Sequence, residues 1–253
     1  MSTIEAITFD LWDTIVDDDS DEPKRAARQL RSKRLERRHL LWQALNDQQP
    51  TDLAPVTLAY DTADAAFNRV WHDQHVTWTI AERLRVALQG LGRSLPNDVF
   101  AQVVHDHEMM EVDIPPNMID GCAAALAELS SRFRLAIVSD AIVTPGRYLR
   151  KLLEDHGVLS YFQSFAFSDE VGYSKPHRSM FEKISRELNT SLERMVHIGD
   201  REHNDVRGAH ALGMRAILFT ATRPDDRHDT EADAVCEHYG QLVEVIEQLA
   251  GTT

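Results

Sequence analysis

Short apolar runs separated by polar segments predict the strands of this protein. The first run, Ile4 to Phe9, is rich in β-branched residues, and comparable runs lie at 133–138, 195–198 and 216–219. Runs of this length and composition are typical of buried strands rather than of helices. Two further short runs, 165–167 and 232–235, extend the set of predicted strands.

Helical patterns alternate with these strands from residue 114 onwards. Apolar positions at helical spacing predict helices near 119–129, 145–153, 178–188 and 241–249. Alternation of strands with crossover helices is typical of an α/β fold with a doubly wound parallel sheet. In such a sheet the ligand crevice lies at the carboxyl ends of the strands, so polar residues at strand ends become candidates for function.

A different pattern fills the segment that follows the first strand. Four helical stretches, near 24–46, 55–72, 79–91 and 96–112, succeed one another without a strand-like run between them. This change of pattern predicts an all-helical insertion at residues 18–110, with an α/β core formed by residues 1–17 and 111–253.

Polar residues stand where the predicted strands run out. Asp10 follows the first strand, and Ser139 and Asp200 end two others, while Lys175 and Asp205 lie at the starts of helices. Parallel strands bring their carboxyl ends to one edge of the sheet, so we expect these five residues to converge. Singly, each could be a turn residue, a surface charge or a helix cap.

The chemistry of the five residues is coherent. Carboxylates such as Asp200 and Asp205 suit Mg²⁺, which keeps other positions for water and phosphate oxygens. Asp10 can act as a nucleophile and form an aspartyl-phosphate. Lys175 would keep Asp10 ionised and neutralise the transferred group, and Ser139 would donate a hydrogen bond to a phosphoryl oxygen.

Composition narrows the classes of partner. The 253-residue chain has 27 Lys and Arg against 41 Asp and Glu, a net charge of −14, which argues against a general binder of nucleic acids or anionic membranes. No leader-like segment opens the sequence and no run of about 18 apolar residues occurs, so we expect a soluble, cytoplasmic protein. Cys122 and Cys236 lie far apart without metal-ligand spacing and imply no disulfide framework.

The polar motifs resemble those of the haloacid dehalogenase superfamily of hydrolases. FDLWDTI is similar to its first motif, IVSD to its second, GYSKP to its lysine-bearing third and IGDREHNDVRGA to its acidic fourth. The resemblance covers nearly the whole chain and implies a Rossmann-like core, Mg²⁺ as cofactor and a small phosphorylated substrate. It also implies that the helical insertion is a mobile cap of the C1 type, which closes over the site and selects the substrate.

One position departs from the family pattern. Phosphatases of the family usually have a second Asp two residues after the nucleophile, as general acid and base, whereas this chain has Trp12. The Trp12 carbonyl could still bind Mg²⁺, but a positioned acid is worth roughly 100- to 10,000-fold in rate. Asp13 is an alternative acid, although alternation along a strand would point it away from the side that Asp10 faces.

Three functions are compatible with Trp12. The first is a Mg²⁺-dependent phosphatase that works best on acidic leaving groups or obtains its acid from substrate or cap. The second is a 2-haloacid dehalogenase, in which Asp10 attacks carbon and halide leaves without a proton. Such relatives often carry an aromatic residue here, but they lack the full acidic fourth motif. The third is a non-catalytic protein that binds a ligand or partner. The presence of both Asp200 and Asp205 favours the first function.

Further candidates for substrate contact are less specific. Trp12, Asp140 and Arg201 adjoin the predicted site, while Trp71 and His75 belong to an aromatic cluster that could equally be core packing. Arg201 could instead pair with neighbouring carboxylates. The acidic run 17–22 indicates a solvated hinge or a second cation site. Eight basic residues between 24 and 38, among them Arg31, form either a solvated face or a clamp for a substrate anion.

Overall fold

A six-stranded parallel sheet lies at the centre of the computed structural model, which describes residues 3–251. The order of its strands is β5-β4-β1-β6-β7-β8. The strands of the protein are β1 (Ala6–Phe9), β2 (Val16–Asp17), β3 (Asn117–Met118), β4 (Arg134–Ser139), β5 (Phe162–Phe167), β6 (Met195–Gly199), β7 (Arg215–Phe219) and β8 (Ala234–Cys236). The predicted α/β class with a doubly wound parallel sheet is confirmed.

Helices follow the strands and cover the sheet. They are α1 (Glu22–Ala27), α2 (Lys33–Gln48), α3 (Leu53–Gln74), α4 (Ile80–Gly90), α5 (Asn97–Glu108), α6 (Met110–Asp113), α7 (Cys122–Ser130), α8 (Gly146–Asp155), α9 (Ser168–Val171), α10 (Arg178–Leu188), α11 (Arg207–His210) and α12 (Tyr239–Ala250). Across residues 3–251, none of these helices combines the length and apolar character needed to cross a membrane.

Strand β1 is the pivot of the sheet because it pairs in parallel with both β4 and β6. Phe9 lies opposite Ile137 on one side and Ile198 on the other. The carboxyl ends of these three strands are therefore adjacent, with β4 on one side of β1 and β6 on the other. That arrangement forms the crevice in which open α/β sheets bind ligands.

Alternation along β1 supplies both faces of the sheet with core residues. Ile7 and Phe9 join an apolar cluster with residues of α7, α8 and α12, whereas Ala6 joins a second cluster with residues of α10 and α11. Both clusters are buried, as expected for a parallel sheet covered on its two faces. Burial on both sides fixes the ends of the strands, and with them the loops that carry polar residues.

Helices α1 to α6 lie between the short strands β2 and β3. These two strands pair in antiparallel fashion, with Val16 opposite Met118, and join the helical segment to the core. Residues of α2 to α5 surround an apolar cluster of their own. The boundaries 18–110 for the insertion and 1–17 with 111–253 for the core stay a prediction. Residues 1, 2, 252 and 253 lie outside the described residues.

The prediction of one helix over 24–46 is wrong. Gln29 has a left-handed backbone with φ 58°, which ends the helical path after α1, and α2 begins only at Lys33. Ser32 caps α2, because its hydroxyl accepts a hydrogen bond from the Leu35 N–H at 3.4 Å. Because of this break, the basic side chains of the stretch do not follow one helix axis. The break therefore affects which of them reach the cavity described below.

Candidate active site

Asp10 occupies the first position after β1, at the centre of the crevice. Its N–H donates to the Ile198 carbonyl at 2.8 Å, so the β1–β6 ladder fixes its backbone. Its side chain is almost fully buried, and Oδ1 lies 2.7 Å from Lys175 Nζ. The predicted nucleophile is thus rigidly placed beside a buried cation.

Lys175 lies between two carboxylates. Its Nζ is 2.6 Å from Asp205 Oδ1 as well as 2.7 Å from Asp10 Oδ1, and its side chain is 2% exposed. Burial opposes the charged form, but attraction by Asp10, Asp205 and Asp140 outweighs it and raises the pKa of Lys175 above its usual range. The ammonium therefore stays charged beside both carboxylates, and it helps to hold the pKa of Asp205 below its usual range.

Asp10, Asp200 and Asp205 form a compact acidic group. One carboxylate oxygen from each lies within 4.8 Å of the others. Gly199 permits this approach, since a Cβ at that position would stand 2.2 Å from the Asp205 Cγ. The Arg201 N–H donates to Asp205 Oδ2 at 2.9 Å and fixes the orientation of that carboxylate.

The electrostatics of this group favour a bound cation. Burial, followed by the Asp205 and Asp10 carboxylates, raises the pKa of Asp200 to about 8. Neither oxygen of the buried Asp200 carboxylate has a hydrogen-bond partner among the described residues. Burial acts in the same direction on Asp205, but Lys175 and the hydrogen bond from His197 outweigh it and lower the pKa of Asp205. Asp200 Oδ2 lies 3.6 Å from Arg201 Nε and 3.5 Å from Arg223 Nη1, beyond hydrogen-bond contact. Hard oxygen atoms without hydrogen bonds beside other carboxylates are the donors that Mg²⁺ prefers, so these residues fit the ion.

His197 completes the environment of Asp205, although the sequence did not single it out. It lies within β6, fully buried, with Nε2 3.0 Å from Asp205 Oδ1 and Nδ1 2.8 Å from Thr8 Oγ1. An ionised carboxylate only accepts, so Nε2 carries the proton that points to Asp205. A lone polar residue in an otherwise apolar strand was the available signal, because buried polar groups need partners.

Ser139 and Asp140 stand at the end of β4, as predicted. Ser139 is fully buried, and within residues 3–251 its Oγ lacks a hydrogen-bond partner. Asp140 Oδ1 accepts from the Lys175 N–H at 2.9 Å, while its Oδ2 has no hydrogen-bond partner in that part of the chain. Burial, opposed by Lys175, raises the pKa of Asp140 to about 7. Both side chains therefore keep unused hydrogen-bonding capacity near Asp10.

Trp12 and Asp13 are neighbours in the loop after β1, but only Trp12 borders the cavity beside Asp10. The Trp12 Nε1–H donates to the Asp140 carbonyl at 3.1 Å, and the indole borders the cavity beside Asp10. Asp13 has a left-handed backbone, and its Oδ1 accepts from the Asp18 N–H at 3.3 Å. Asp13 is not among the residues that border the cavity, so its placement gives no support to the alternative acid.

A cavity of about 180 Å³ adjoins Asp10. Its border includes four residues that were predicted to contact substrate, namely Trp12, Trp71, Asp140 and Arg201. It also includes Lys33 and Arg37, which project from α2 one helical turn apart. The sequence showed a basic run but not which of its members would face the site.

Two other candidates lie outside the border of this cavity. His75 ends α3 with φ 55°, and its carbonyl accepts from the Ser174 N–H at 2.8 Å. Its ring lies 6.2 Å from that of His203, so its position gives no support for substrate contact. Arg31 is exposed and pairs with Glu36 at 3.1 Å. In both cases the local turn, rather than the residue type, decides where the side chain goes.

The chain is similar to several known proteins. A family model described as haloacid dehalogenase-like hydrolase matches residues 4–213. Glyceraldehyde 3-phosphate phosphatase of Methanothermobacter thermautotrophicus is 32% identical over 107 residues, which are 42% of this chain and 46% of that protein. Ribulose-1,5-bisphosphate 5-phosphatase of Halopiger xanaduensis is 31% identical over 102 residues, 37% of this chain and 43% of that protein. The chain thus matches less than half the length of these two relatives.

A solved structure extends the likeness over the whole fold. The HAD phosphatase from Thermococcus onnurineus superposes with a TM-score of 0.62 and 20% identity, over 96% of this chain and 98% of that one. Identity at this level shows a shared fold, while the residues described above determine the chemistry.

Proposed function

Because the chain belongs to the haloacid dehalogenase-like hydrolase family, we propose that it is a Mg²⁺-dependent phosphatase of a small phosphorylated metabolite. The observation that carries this proposal is the buried group of Asp10, Asp200 and Asp205, in which neither Asp200 oxygen atom has a hydrogen-bond partner among the described residues. Relatives named as phosphatases of glyceraldehyde 3-phosphate and of ribulose bisphosphate support the same class of substrate.

The roles of the residues follow from their positions. Asp10, Asp200 and Asp205 would hold the ion, with the Trp12 carbonyl as a further proposed ligand. Bound Mg²⁺ would supply positive charge next to the phosphoryl oxygens. An Asp10 oxygen attacks phosphorus, the ester P–O bond breaks and an aspartyl-phosphate forms. The leaving alkoxide takes a proton from solvent water and departs as the alcohol. Water then displaces the Asp10 carboxylate, loses a proton to solvent and gives inorganic phosphate.

Lys175 and Ser139 would assist through charge and hydrogen bonding. Lys175 Nζ lies 2.7 Å from Asp10 Oδ1, where a transferred phosphoryl group would approach. The Ser139 hydroxyl has no hydrogen-bond partner in the part of the chain that the structure describes, and it can donate to a phosphoryl oxygen. Fixed donors of this kind stabilise developing charge without reorganising during the reaction.

The proposal is tested by phosphate release from an aryl and an acyl phosphate, with Mg²⁺ and with a chelator. We expect turnover that needs Mg²⁺. Halide release from 2-haloacids is measured in parallel on the same preparation. Halide production without Mg²⁺, and no phosphate release, would overturn the phosphatase in favour of carbon chemistry at Asp10.

Replacing Trp12 with Asp should raise turnover of alkyl phosphates by about tenfold or more, because a positioned acid contributes roughly 100- to 10,000-fold. Aryl phosphates, whose leaving groups need no proton, should gain much less. The ratio of kcat for the two ester types is the measurement. Trp12→Phe, which keeps an aromatic ring but adds no acid, is the matched control. An equal ratio in all three proteins would contradict a missing leaving-group acid at position 12.

Replacing His197 with Phe should weaken Mg²⁺ binding by about 10- to 100-fold, the usual effect of removing a partner of a metal ligand. The expected cause is loss of the Nε2–H that holds Asp205 Oδ1 at 3.0 Å. Calorimetric titration with Mg²⁺ checks this without relying on turnover. His197→Gln, which can still donate to Asp205, should lose less affinity. Equal Mg²⁺ affinity in the Phe variant and wild type would contradict a positioning role for His197.

A further inference from the structure

The chain that connects α3 to α4 pairs with the segment that leads into Lys175. The paired residues are 75–77 and 172–174, and Val76 lies opposite Tyr173 in an antiparallel β-bridge. Two backbone hydrogen bonds flank this bridge, with N···O distances of 2.8 Å and 3.3 Å. The helical segment between β2 and β3 therefore contacts the α/β core directly before one of the proposed catalytic residues.

Two residues with left-handed backbones allow this pairing. His75 has φ 55° and ends α3, while Gly172 has φ 86° and ends α9. A left-handed residue is a common way to end a helix, and glycine adopts this conformation without a steric penalty. Each chain therefore leaves its helix at the place where the other chain runs alongside it.

A hydrogen bond between two side-chain hydroxyls reinforces the bridge. Thr77 Oγ1 lies 2.6 Å from Ser174 Oγ. Ser174 is fully buried and Thr77 is 7% exposed, so water has little access to either hydroxyl. Loss of one hydroxyl would leave the other buried without this partner, which is costly. The pair therefore fixes the position of Ser174 relative to the start of α4.

Ser174 immediately precedes Lys175, whose backbone and side chain are both held. The Lys175 N–H donates to Asp140 Oδ1 at 2.9 Å, and Nζ lies 2.7 Å from Asp10 Oδ1. Because the lysine side chain is long and flexible, the place of its ammonium depends on where its backbone begins. A displacement of about 1 Å in a catalytic group can cost roughly 100-fold in rate. The placement of Ser174 therefore bears directly on turnover.

A second contact joins the same helical segment to the loop after β4. Arg83 of α4 is 6% exposed, and its guanidinium donates to the Ile142 carbonyl. Arg83 also pairs with Asp64 of α3 at 3.1 Å, which ties the two helices together at this point. Ile142 lies two residues after Asp140, the acceptor of the Lys175 N–H. Both contacts of the helical segment thus adjoin residues that fix the backbone of Lys175.

We propose that Thr77 is a positioning residue, whose hydroxyl holds Ser174 and thereby fixes the ammonium of Lys175. The ammonium then stays between Asp10 and Asp205, where it neutralises the transferred phosphoryl group. Thr77 is not among the residues that border the cavity, so it acts through its neighbour and not on the substrate. The inference rests on the proposed function for the role of Lys175. It gives the helical segment a part in assembling the catalytic groups.

The first experiment removes the Thr77 hydroxyl and keeps the shape of the side chain. With Mg²⁺ and an aryl phosphate, Thr77→Val should lower kcat by about tenfold, because a displaced ammonium stabilises the transferred group less well. Thr77→Ser keeps the hydroxyl and should rescue most of this loss. Thr62→Val, whose hydroxyl donates to the Leu58 carbonyl within α3 at 2.7 Å, is the matched control and should leave kcat unchanged. Wild-type kcat in Thr77→Val, or equal losses in Thr77→Val and Thr77→Ser, would overturn the inference.

A variant of the partner residue tests the pair itself. Ser174→Ala removes the same hydrogen bond from the core side and should lower kcat to a similar extent. The double variant with Thr77→Val should lose no more than either single variant, because all three lack one and the same bond. Additive losses would show that the two hydroxyls act independently and would overturn the inference.

The last experiment follows Lys175 directly and needs no turnover. Proton–nitrogen NMR of protein with isotopically labelled lysine reports the side-chain ammonium groups, and Lys175→Arg assigns one signal. Thr77→Val should shift or broaden the Lys175 signal, whereas the signal of Lys33, which is paired with Asp21 and Glu111, should stay as in wild type. An unchanged Lys175 signal, or equal changes in both signals, would overturn the inference. A selective change in a protein that releases no phosphate would support the positioning role and count against the phosphatase alone.

Discussion

Replacing Asp10 with Asn should lower phosphate release by at least about 1,000-fold while the protein stays folded. An amide is a far weaker nucleophile than a carboxylate and cannot form the aspartyl-phosphate. The change keeps the size of the side chain, and Lys175 retains its contact with Asp205 at 2.6 Å. The effect should therefore appear in turnover and not in the integrity of the core.

Initial rates on an aryl phosphate with saturating Mg²⁺ give the measurement, and circular dichroism reports the fold. Asp13→Asn is the matched control, because Asp13 lies in the same loop but outside the border of the cavity. Its Oδ1 accepts from the Asp18 N–H, a bond that an amide oxygen preserves. Retention of more than about a tenth of wild-type turnover by Asp10→Asn would refute the nucleophile. Loss of turnover in Asp13→Asn would instead identify Asp13 as the missing acid.

The positions of the residues at the strand ends were predictable, because a parallel sheet leaves few alternative places for them. An apolar run that stops at Asp10 indicates a buried strand whose polar successor lies at the sheet edge. The same reasoning places Ser139 and Asp200, since β4 and β6 flank β1. The local pattern and the topology agree at these positions, so the sequence alone predicts that these residues lie near one another.

The ionic contacts of Lys33 beside the cavity were beyond the sequence because three separate segments build them, namely 18–21, α2 and Glu111. Lys33 points to the cavity only after the backbone turns at Gln29 and α2 packs against Glu111, about eighty positions later. A run of eight basic residues predicts a solvated face equally well. Which two of them face inward is a property of helix packing, and no local pattern encodes it.

His197 and His75 show in opposite ways that residue type alone does not predict the role of a side chain. His197 was counted as one position of an apolar strand, yet its ring links Thr8 to Asp205 inside the sheet. His75 was considered for substrate contact, yet the structure uses its left-handed backbone to end α3. The role of a histidine depends on the partners that the fold brings to its ring, and these lie far away in sequence.

Lys175→Met should destabilise the protein by about 3–5 kcal/mol, the usual result of removing one partner of a buried ion pair. The side chain is 2% exposed and contacts both Asp10 and Asp205. Without it, these carboxylates and Asp200 would share a buried space with no internal ammonium. Turnover should also be lost, because no ammonium would neutralise the phosphoryl group transferred to Asp10.

The size of this loss should depend on pH in a defined direction. In the variant, burial and mutual repulsion would raise the pKa values of the carboxylates in the folded state above those in the unfolded state. The folded state then binds more protons, so the free energy of unfolding falls as pH rises through those values. Lys175 lowers the pKa of Asp205 in the wild type, so the folded variant binds more protons than the folded wild type, and the deficit should be larger near pH 8 than near pH 6.

Urea unfolding of wild type and variant near pH 6 and pH 8, without Mg²⁺, measures the deficit. Adding Asp10→Asn to the variant removes one unpaired carboxylate and should restore part of the stability, so the double-mutant cycle reports the pair directly. Lys151→Met, which breaks an exposed pair with Asp155, should leave the unfolding curve unchanged. A deficit that grows as pH falls, or one no larger than that of Lys151→Met, would show that Lys175 does not neutralise the carboxylates around Asp10.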